Sequence, residues 1–328
     1  MAELSTTYMG LKLRNPLIAS SSGFTDSLSK ILKCEAAGVG AVVLKSVFEE
    51  QLISQEHVYE KYFNIYPEAV DYLREGGLLE YAPQKIYQMI EKTKQKTKIP
   101  LIASINCRSP KLWPTFAKQF QESGADAIEL NIYSLPLELE KPGSEYENQH
   151  VEILKSIKEV VSIPVSVKLD QQITSVPHLA HKLDESGCDG LVFFNWFLEP
   201  DIDLENLTTK NIKGKGNFHR TLRWVALVAD RIDCDLSSSG GVKTGDDVIK
   251  LILAGASAVQ LCSIFYEKGL DEVETLLNGL TSWMEKNQYE SIQDFRGEMS
   301  FKNQKLSFKN MGEAQSYFRA QYLKTYED

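Results

Sequence analysis

The stretch Cys234–Ser263, CDLSSSGGVKTGDDVIKLILAGASAVQLCS, decides the fold. A short apolar run ends in Ser237, Ser238 and Ser239, and the pair Gly240–Gly241 follows. Thr244 is a residue type that caps helix N-termini, and Asp246 and Asp247 suit the positive first turn. Val248, Leu251 and Ile252 recur at helical spacing, Gly255 closes the helix, and Ala258–Leu261 reads as a second buried strand ending at Cys262 and Ser263. The order is strand, glycine turn, helix, strand. Glycines at such a turn let backbone approach a ligand closely and offer N–H groups to an anion. A tight turn with no ligand accounts for them equally well, because glycine is the default turn residue. In a parallel barrel the loops after the last two strands are the usual phosphate site, so the rest of the chain must decide.

Working outward, the same alternation runs through the chain. Strands are expected at Pro16–Ala19, Gly40–Leu44, Pro100–Ile105, Ala127–Leu130, Pro164–Val167 and Gly190–Phe194. Helices are expected at Ser29–Ala37, Pro83–Lys96, Pro114–Glu122, Gln149–Val161, Val176–Glu185, Thr221–Arg231 and Gly269–Lys286. Ahead of them, Thr6–Tyr8, a Met9–Gly10 turn and Leu11–Leu13 read as a hairpin closing the bottom. AGVGAVVL, SGADAIEL, SGCDGLVF and AGASAVQL repeat one pattern: a helix-ending glycine, a small linker and a buried strand. Eight βα units in one chain predict an α/β fold of the (β/α)8 TIM barrel type. Residues 1–328 read as a single domain, with 301–328 as a C-terminal extension in which Ala314–Tyr326 is expected to be helical. That extension lies on the barrel or across a homodimer interface.

Loop lengths set the polarity. Helix-to-strand links are short, whereas the strand-to-helix links Ser46–Ala82, Asn131–Asn148 and Asn195–Arg220 are long, as an active-site rim requires. The 328 residues are 43% hydrophobic and 25% charged with net charge −9, which excludes a general nucleic-acid or anionic-membrane surface. Five dispersed cysteines without a CxxC pair, no basic–apolar leader and no apolar run near the ~18 residues of a membrane span point to a cytoplasmic protein without a stable membrane anchor.

Polar residues gather where strands end: Ser20–Gly23, Lys45–Ser46, Asn106, Asn131, Lys168 and Asn195. Two lysines inside one barrel mouth need negative partners. An anionic cofactor is the expected counter-charge, with Glu129 or Asp170 as the structural alternative. His178 and His181 read as a solvated helix face, Cys107 as a small packing residue, and Gly214–Gly216 follows no strand and so is no dinucleotide fingerprint.

LKS at Leu44–Ser46, ELN at Glu129–Asn131, VKL at Val167–Leu169, SGGVKTGDD at Ser239–Asp247, AGASAVQLCS and YESIQDFRG resemble the dihydroorotate dehydrogenases, above all their soluble class, from about Thr6 to Gly297. The resemblance implies FMN at the mouth of a barrel. By position, Ser21, Ser22 and Gly23 would line the flavin, and Lys45 and Ser46 would contact its ring. Lys168 would sit at the electron-accepting edge and favour the reduced anion, while Gly240, Gly241, Cys262 and Ser263 would hold the phosphate. Asn106, Asn131, Asn195 and Lys45 would bind a small pyrimidine-like carboxylate. Soluble members carry a cysteine base after ELN and quinone-linked members a serine; ELNIYSLP puts Ser134 there. The chain departs from the pattern at Leu135 and Pro136, and residues 63–81 lack the asparagine-rich substrate loop. Four readings follow: dihydroorotate oxidation with fumarate, NAD or quinone as acceptor, an FMN oxidoreductase for another cyclic amide or enone, a flavin-binding interaction protein without turnover, and, last, a phosphate-binding barrel lyase without flavin.

Overall fold

The computed structural model describes residues 2–48, 83–106, 112–133, 136–196, 199–212, 217–303 and 312–313. A two-stranded antiparallel hairpin, β1 (Thr6–Tyr8) and β2 (Leu11–Leu13), opens the chain. The staves of the barrel are β3 (Leu17–Ala19), β4 (Ala41–Val43) continued by β5 (Val47–Phe48), β6 (Leu101–Asn106), β7 (Ala127–Asn131), β8 (Val165–Leu169) and β9 (Gly190–Phe193). After β9 come a hairpin of β10 (Glu199–Asp203) and β11 (Thr208–Ile212), then the last staves, β12 (Asp235–Ser239) and β13 (Ala258–Leu261). Each stave pairs in parallel with the next, and β13 pairs with β3, so the sheet closes on itself as a (β/α)8 TIM barrel.

The helices are α1 (Leu28–Ala37), α2 (Pro83–Lys96), α3 (Leu112–Glu122), α4 (Gly143–Lys158) and α5 (Val176–Glu185). They continue with α6 (Phe218–Val228), α7 (Gly245–Ala254), α8 (Ser263–Lys268) and α9 (Glu272–Lys286). Each lays an apolar stripe on the barrel's outer face. In α3 the buried residues are Trp113, Phe116, Ala117 and Phe120, one turn apart along one side. Thr244 caps α7 with a reciprocal bond to Asp247, and Gly255 ends it, as the opening stretch of sequence requires.

Inside the barrel the character changes with height. At the bottom, Tyr8, Met9 and Leu13 of the hairpin pack with Ile18, Ala41, Val43, Ile102, Ala127 and Ala258 into a separate apolar plug. Side chains alternate along a strand, so the next inward residues are Ser104, Asn106, Glu129, Asn131, Lys168 and Gln260, all buried. The upper half of the interior is polar, and chemistry is built there.

Several boundaries differ from the sequence reading, among them α6, which spans Phe218–Val228 where Thr221–Arg231 is expected. β8 runs to Leu169, so Lys168 lies within the strand, where Asn131 pairs with it in register. α4 begins at Gly143 instead of Gln149, because Pro142 and Glu145 supply a helix start that carries no apolar stripe. The helix expected at Gly269–Lys286 starts at Glu272 as α9, and the short α8 (Ser263–Lys268), which the sequence reading does not include, precedes it. The link after β9 holds the β10–β11 hairpin, whose residues from Pro200 to Lys210 are almost all exposed and so show no apolar alternation. Residues 49–82, Cys107, Gly214–Gly216 and Ala314–Tyr326, each read from sequence, lie outside the described residues.

Candidate active site at the barrel mouth

Two layers of polar side chains cross the carboxyl end of the barrel. The upper one is an arc of hydrogen bonds over five staves. Ser21 Oγ lies 3.0 Å from Ser46 Oγ and accepts the Ser46 N–H at 2.8 Å. Ser46 Oγ lies 2.7 Å from Ser104 Oγ and accepts from Asn131 Nδ2 at 3.3 Å. Asn131 Oδ1 in turn accepts from Asn195 Nδ2. Asn195 is placed by its own backbone, whose N–H donates to Leu169 O at 2.7 Å.

The lower layer is charged. Lys168 Nζ lies 3.6 Å from Glu129 Oε1 and donates to Ser20 Oγ and to Gln260 Oε1, each at 3.2 Å. Gln260 Nε2 donates to Glu129 Oε2 at 2.6 Å, and Ser20 Oγ donates to Gln260 Oε1 at 3.0 Å. Lys168 and Glu129 are 5% and 1% exposed, so each is a charge that only its partner makes tolerable. This corrects the expectation of two buried lysines awaiting a negative cofactor. Lys168 has its counter-charge in Glu129, and Lys45 is exposed to solvent.

The glycine turn stands beside this set. Gly240 and Gly241 follow β12 with φ of +97° and +81°, a region that side-chain-bearing residues avoid. A Cβ on Gly240 would lie 2.0 Å from Trp196 Nε1, and one on Gly241 3.0 Å from the backbone nitrogen of Phe218. Trp196 Nε1 donates to Ser239 O at 3.2 Å. The indole, which follows Asn195, therefore lies across the turn, and close protein packing accounts for part of the glycine requirement. Because Ser239 pairs with Gln260, the turn lies next to the Cys262–Ser263 exit of β13. On the other side of β13, the Ser22–Gly23 loop docks on α8 through Gly23 N–H to Tyr266 Oη at 2.9 Å.

The structure thus brings Ser21, Ser46, Asn131, Lys168 and Asn195 together. It places Gly240, Gly241, Cys262, Ser263, Ser22 and Gly23 on the neighbouring exits and Asn106 at the buried end of β6. Ser134 lies outside the described residues. Ser104, Gln260 and Trp196 were not read as site residues. The first two had a signal: each is a polar residue at alternate spacing in an otherwise apolar strand, LIASIN and AVQL. An ammonium, amide and hydroxyl donors and a glycine turn on one mouth suit a planar heterocycle bearing a phosphate.

Behind β8, α4 carries His150, 3% exposed, whose Nδ1 donates to Tyr146 O at 2.9 Å. Burial lowers the His150 pKa against the pull of Tyr146 O, Asp170 and Glu147. Burial raises that of Asp170, against the Gln172 N–H, His150 and Arg220. The unfolded chain therefore binds the histidine proton first, and stability is lost as pH falls below about 6.5. His150→Gln is expected to flatten that loss, read as guanidinium midpoints at about pH 7.5 and about pH 5.5.

The sequence model of the family described as dihydroorotate dehydrogenase matches residues 3–284. The catalytic subunit of dihydroorotate dehydrogenase B (NAD(+)) from Thermoplasma acidophilum is 28% identical over 315 residues, covering 90% of this chain and 99% of that protein. Dihydroorotate dehydrogenase A (fumarate) from Lactobacillus helveticus is 27% identical over 311 residues, covering 89% and 97%. The crystal structure of the dihydroorotate dehydrogenase of Eimeria tenella in complex with ferulenol superposes with a TM-score of 0.66 at 17% identity, over 90% of this chain and 88% of that one, a likeness of fold. On the strength of the family match, the chain belongs to the dihydroorotate dehydrogenases, flavin-dependent oxidoreductases that act on CH–CH donors.

Proposed function

We propose that the chain binds FMN at the barrel mouth and oxidises dihydroorotate to orotate, a step of pyrimidine biosynthesis. The observation that carries this reading is the arc Ser21–Ser46–Asn131–Asn195 lying over Lys168. Bound there, FMN supplies a hydride acceptor. Gly240, Gly241, Cys262 and Ser263 hold its phosphate, Ser21, Ser22 and Gly23 line it, and Lys45 and Ser46 meet its ring. Lys168 would present its ammonium to the ring. Asn106, Asn131 and Asn195 each offer both a donor and an acceptor, matching the alternating N–H and C=O edge of a pyrimidine, and the exposed Lys45 meets the substrate carboxylate. Ser134 removes the proton from the carbon beside the substrate carbonyl.

In this reading residues 1–328 form one domain acting on a small molecule in the cytoplasm, with 301–328 on the barrel or across a homodimer interface. A second reading keeps FMN and changes the substrate to another cyclic amide or enone. Leu135 and Pro136 after the base, and residues 63–81 without the asparagine loop, favour it. Anaerobic stopped-flow mixing separates the two: dihydroorotate is expected to bleach the flavin absorbance of the loaded protein. A flavin that stays oxidised with dihydroorotate and bleaches with another cyclic amide or enone overturns the first reading. One that answers to no donor points to a flavin-binding interaction protein. Offering fumarate, NAD or a quinone to the bleached protein identifies the acceptor.

A further inference from the structure

We infer that Glu129 is the positioning residue of Lys168: from inside the barrel it holds the ammonium through Gln260 and cancels its charge, so the pair itself presents no net positive charge to the ring-facing edge of the site. The inference deepens the FMN reading and rests on it for one of its two tests. Glu129 touches neither the mouth nor solvent, at 1% exposure. Its two oxygens are used differently. Oε2 accepts a 2.6 Å bond from Gln260 Nε2, while Oε1 faces Lys168 at 3.6 Å and accepts no hydrogen bond among the described residues. Gln260 is the joint between the charges, since its Oε1 accepts from Lys168 and its Nε2 donates to Glu129. Such a bridge fixes which way the amide points and keeps the ammonium within the plane of the barrel.

Beneath the pair, Tyr8 arrives from the N-terminal hairpin. Burial first, and the negative charge of Glu129 second, hold its phenol well above the ordinary range, so it remains neutral. The pair is therefore the balanced charge of this layer, and removing one member changes the field at the mouth by a full unit. A lysine working alone would draw electrons onto a bound ring; one neutralised from behind draws less.

Glu129→Gln, Glu129→Asp and Glu129→Gln/Lys168→Met test this. With FMN bound, Glu129→Gln is expected to raise the two-electron potential by at least the equivalent of a tenfold change in equilibrium, about 30 mV. Glu129→Asp keeps the charge and stays near the parent. A potential unmoved by Glu129→Gln, or moved equally by Glu129→Asp, overturns the inference, and a purely structural glutamate predicts that result. Without FMN, Glu129→Gln strands a buried ammonium and is expected to melt below the parent, whereas the double variant recovers part of the loss. If Glu129→Gln does not fold and the double variant does, the pairing stands. A double variant that melts no higher than Glu129→Gln overturns it. Failure of the parent to take up FMN counts against the proposed function, and the melting comparison still judges the pair.

Discussion

Lys168→Ala is expected to cost about 3–5 kcal/mol of folding stability and, with it, retention of FMN. The cost comes from what is left behind. Glu129 is 1% exposed, so among the described residues its charge would have only Gln260 Nε2 to face. Ser20 Oγ and Gln260 Oε1 would lose a donor at the same time. Lys168→Met keeps most of the side-chain volume and separates the two causes. If the unpaired carboxylate dominates, methionine is nearly as damaging as alanine; if the cavity dominates, methionine recovers most of the loss. Urea midpoints of the flavin-free proteins measure this, and flavin absorbance after gel filtration measures retention. A Lys168→Ala protein as stable as the parent would mean that the Lys168–Glu129 pair does not hold the lower layer together, and that layer of the site would have to be redrawn.

The sequence alone leaves Glu129 as the alternative and an anionic cofactor as the expected partner of Lys168, for a physical reason. The βα alternation was legible because each unit repeats a helix-ending glycine and an apolar strand, and the barrel follows from counting them. Which residues share a layer inside it depends on the stagger between staves, which no single strand encodes. Gln260 and Ser20 reach Lys168 only because β13 and β3 close the ring. Lys45 is exposed, against expectation, for a different reason. Alternation from Val43 points it inward, yet the strand breaks between β4 and β5, and the chain turns Ser46 into the barrel and Lys45 out to solvent. The glycine turn shows the limit of motif reading from the other side. Gly240 has the expected backbone, but the nearest claim on its missing side chain is Trp196, a residue with no counterpart in the glycine motif itself. A positive φ and a close neighbour are each sufficient cause for glycine, so the motif alone never separated ligand from packing.

Ser134→Ala is expected to slow reduction of bound flavin by dihydroorotate about 10²- to 10⁴-fold and to leave FMN uptake unchanged. A hydroxyl is a weak base at neutral pH because it must give up its own proton as it accepts another. Its contribution therefore depends on a partner that takes that proton onward and on an orientation that aims Oγ at the substrate carbon. Cysteine at the same place needs less help, since its ordinary pKa is about 8.5. Ser134→Cys is accordingly expected to retain turnover and to move the rising limb of the pH–rate profile toward acid, whereas Ser134→Ala removes that limb altogether. The pair of variants distinguishes a base from a residue that merely shapes the loop. A shape-filling serine would tolerate cysteine and alanine alike with no change in pH profile. If both variants reduce flavin at the parent rate, proton removal belongs to another group. In that case Leu135 and Pro136, where the chain departs from the pattern it otherwise resembles, are the first evidence that this barrel has changed its substrate.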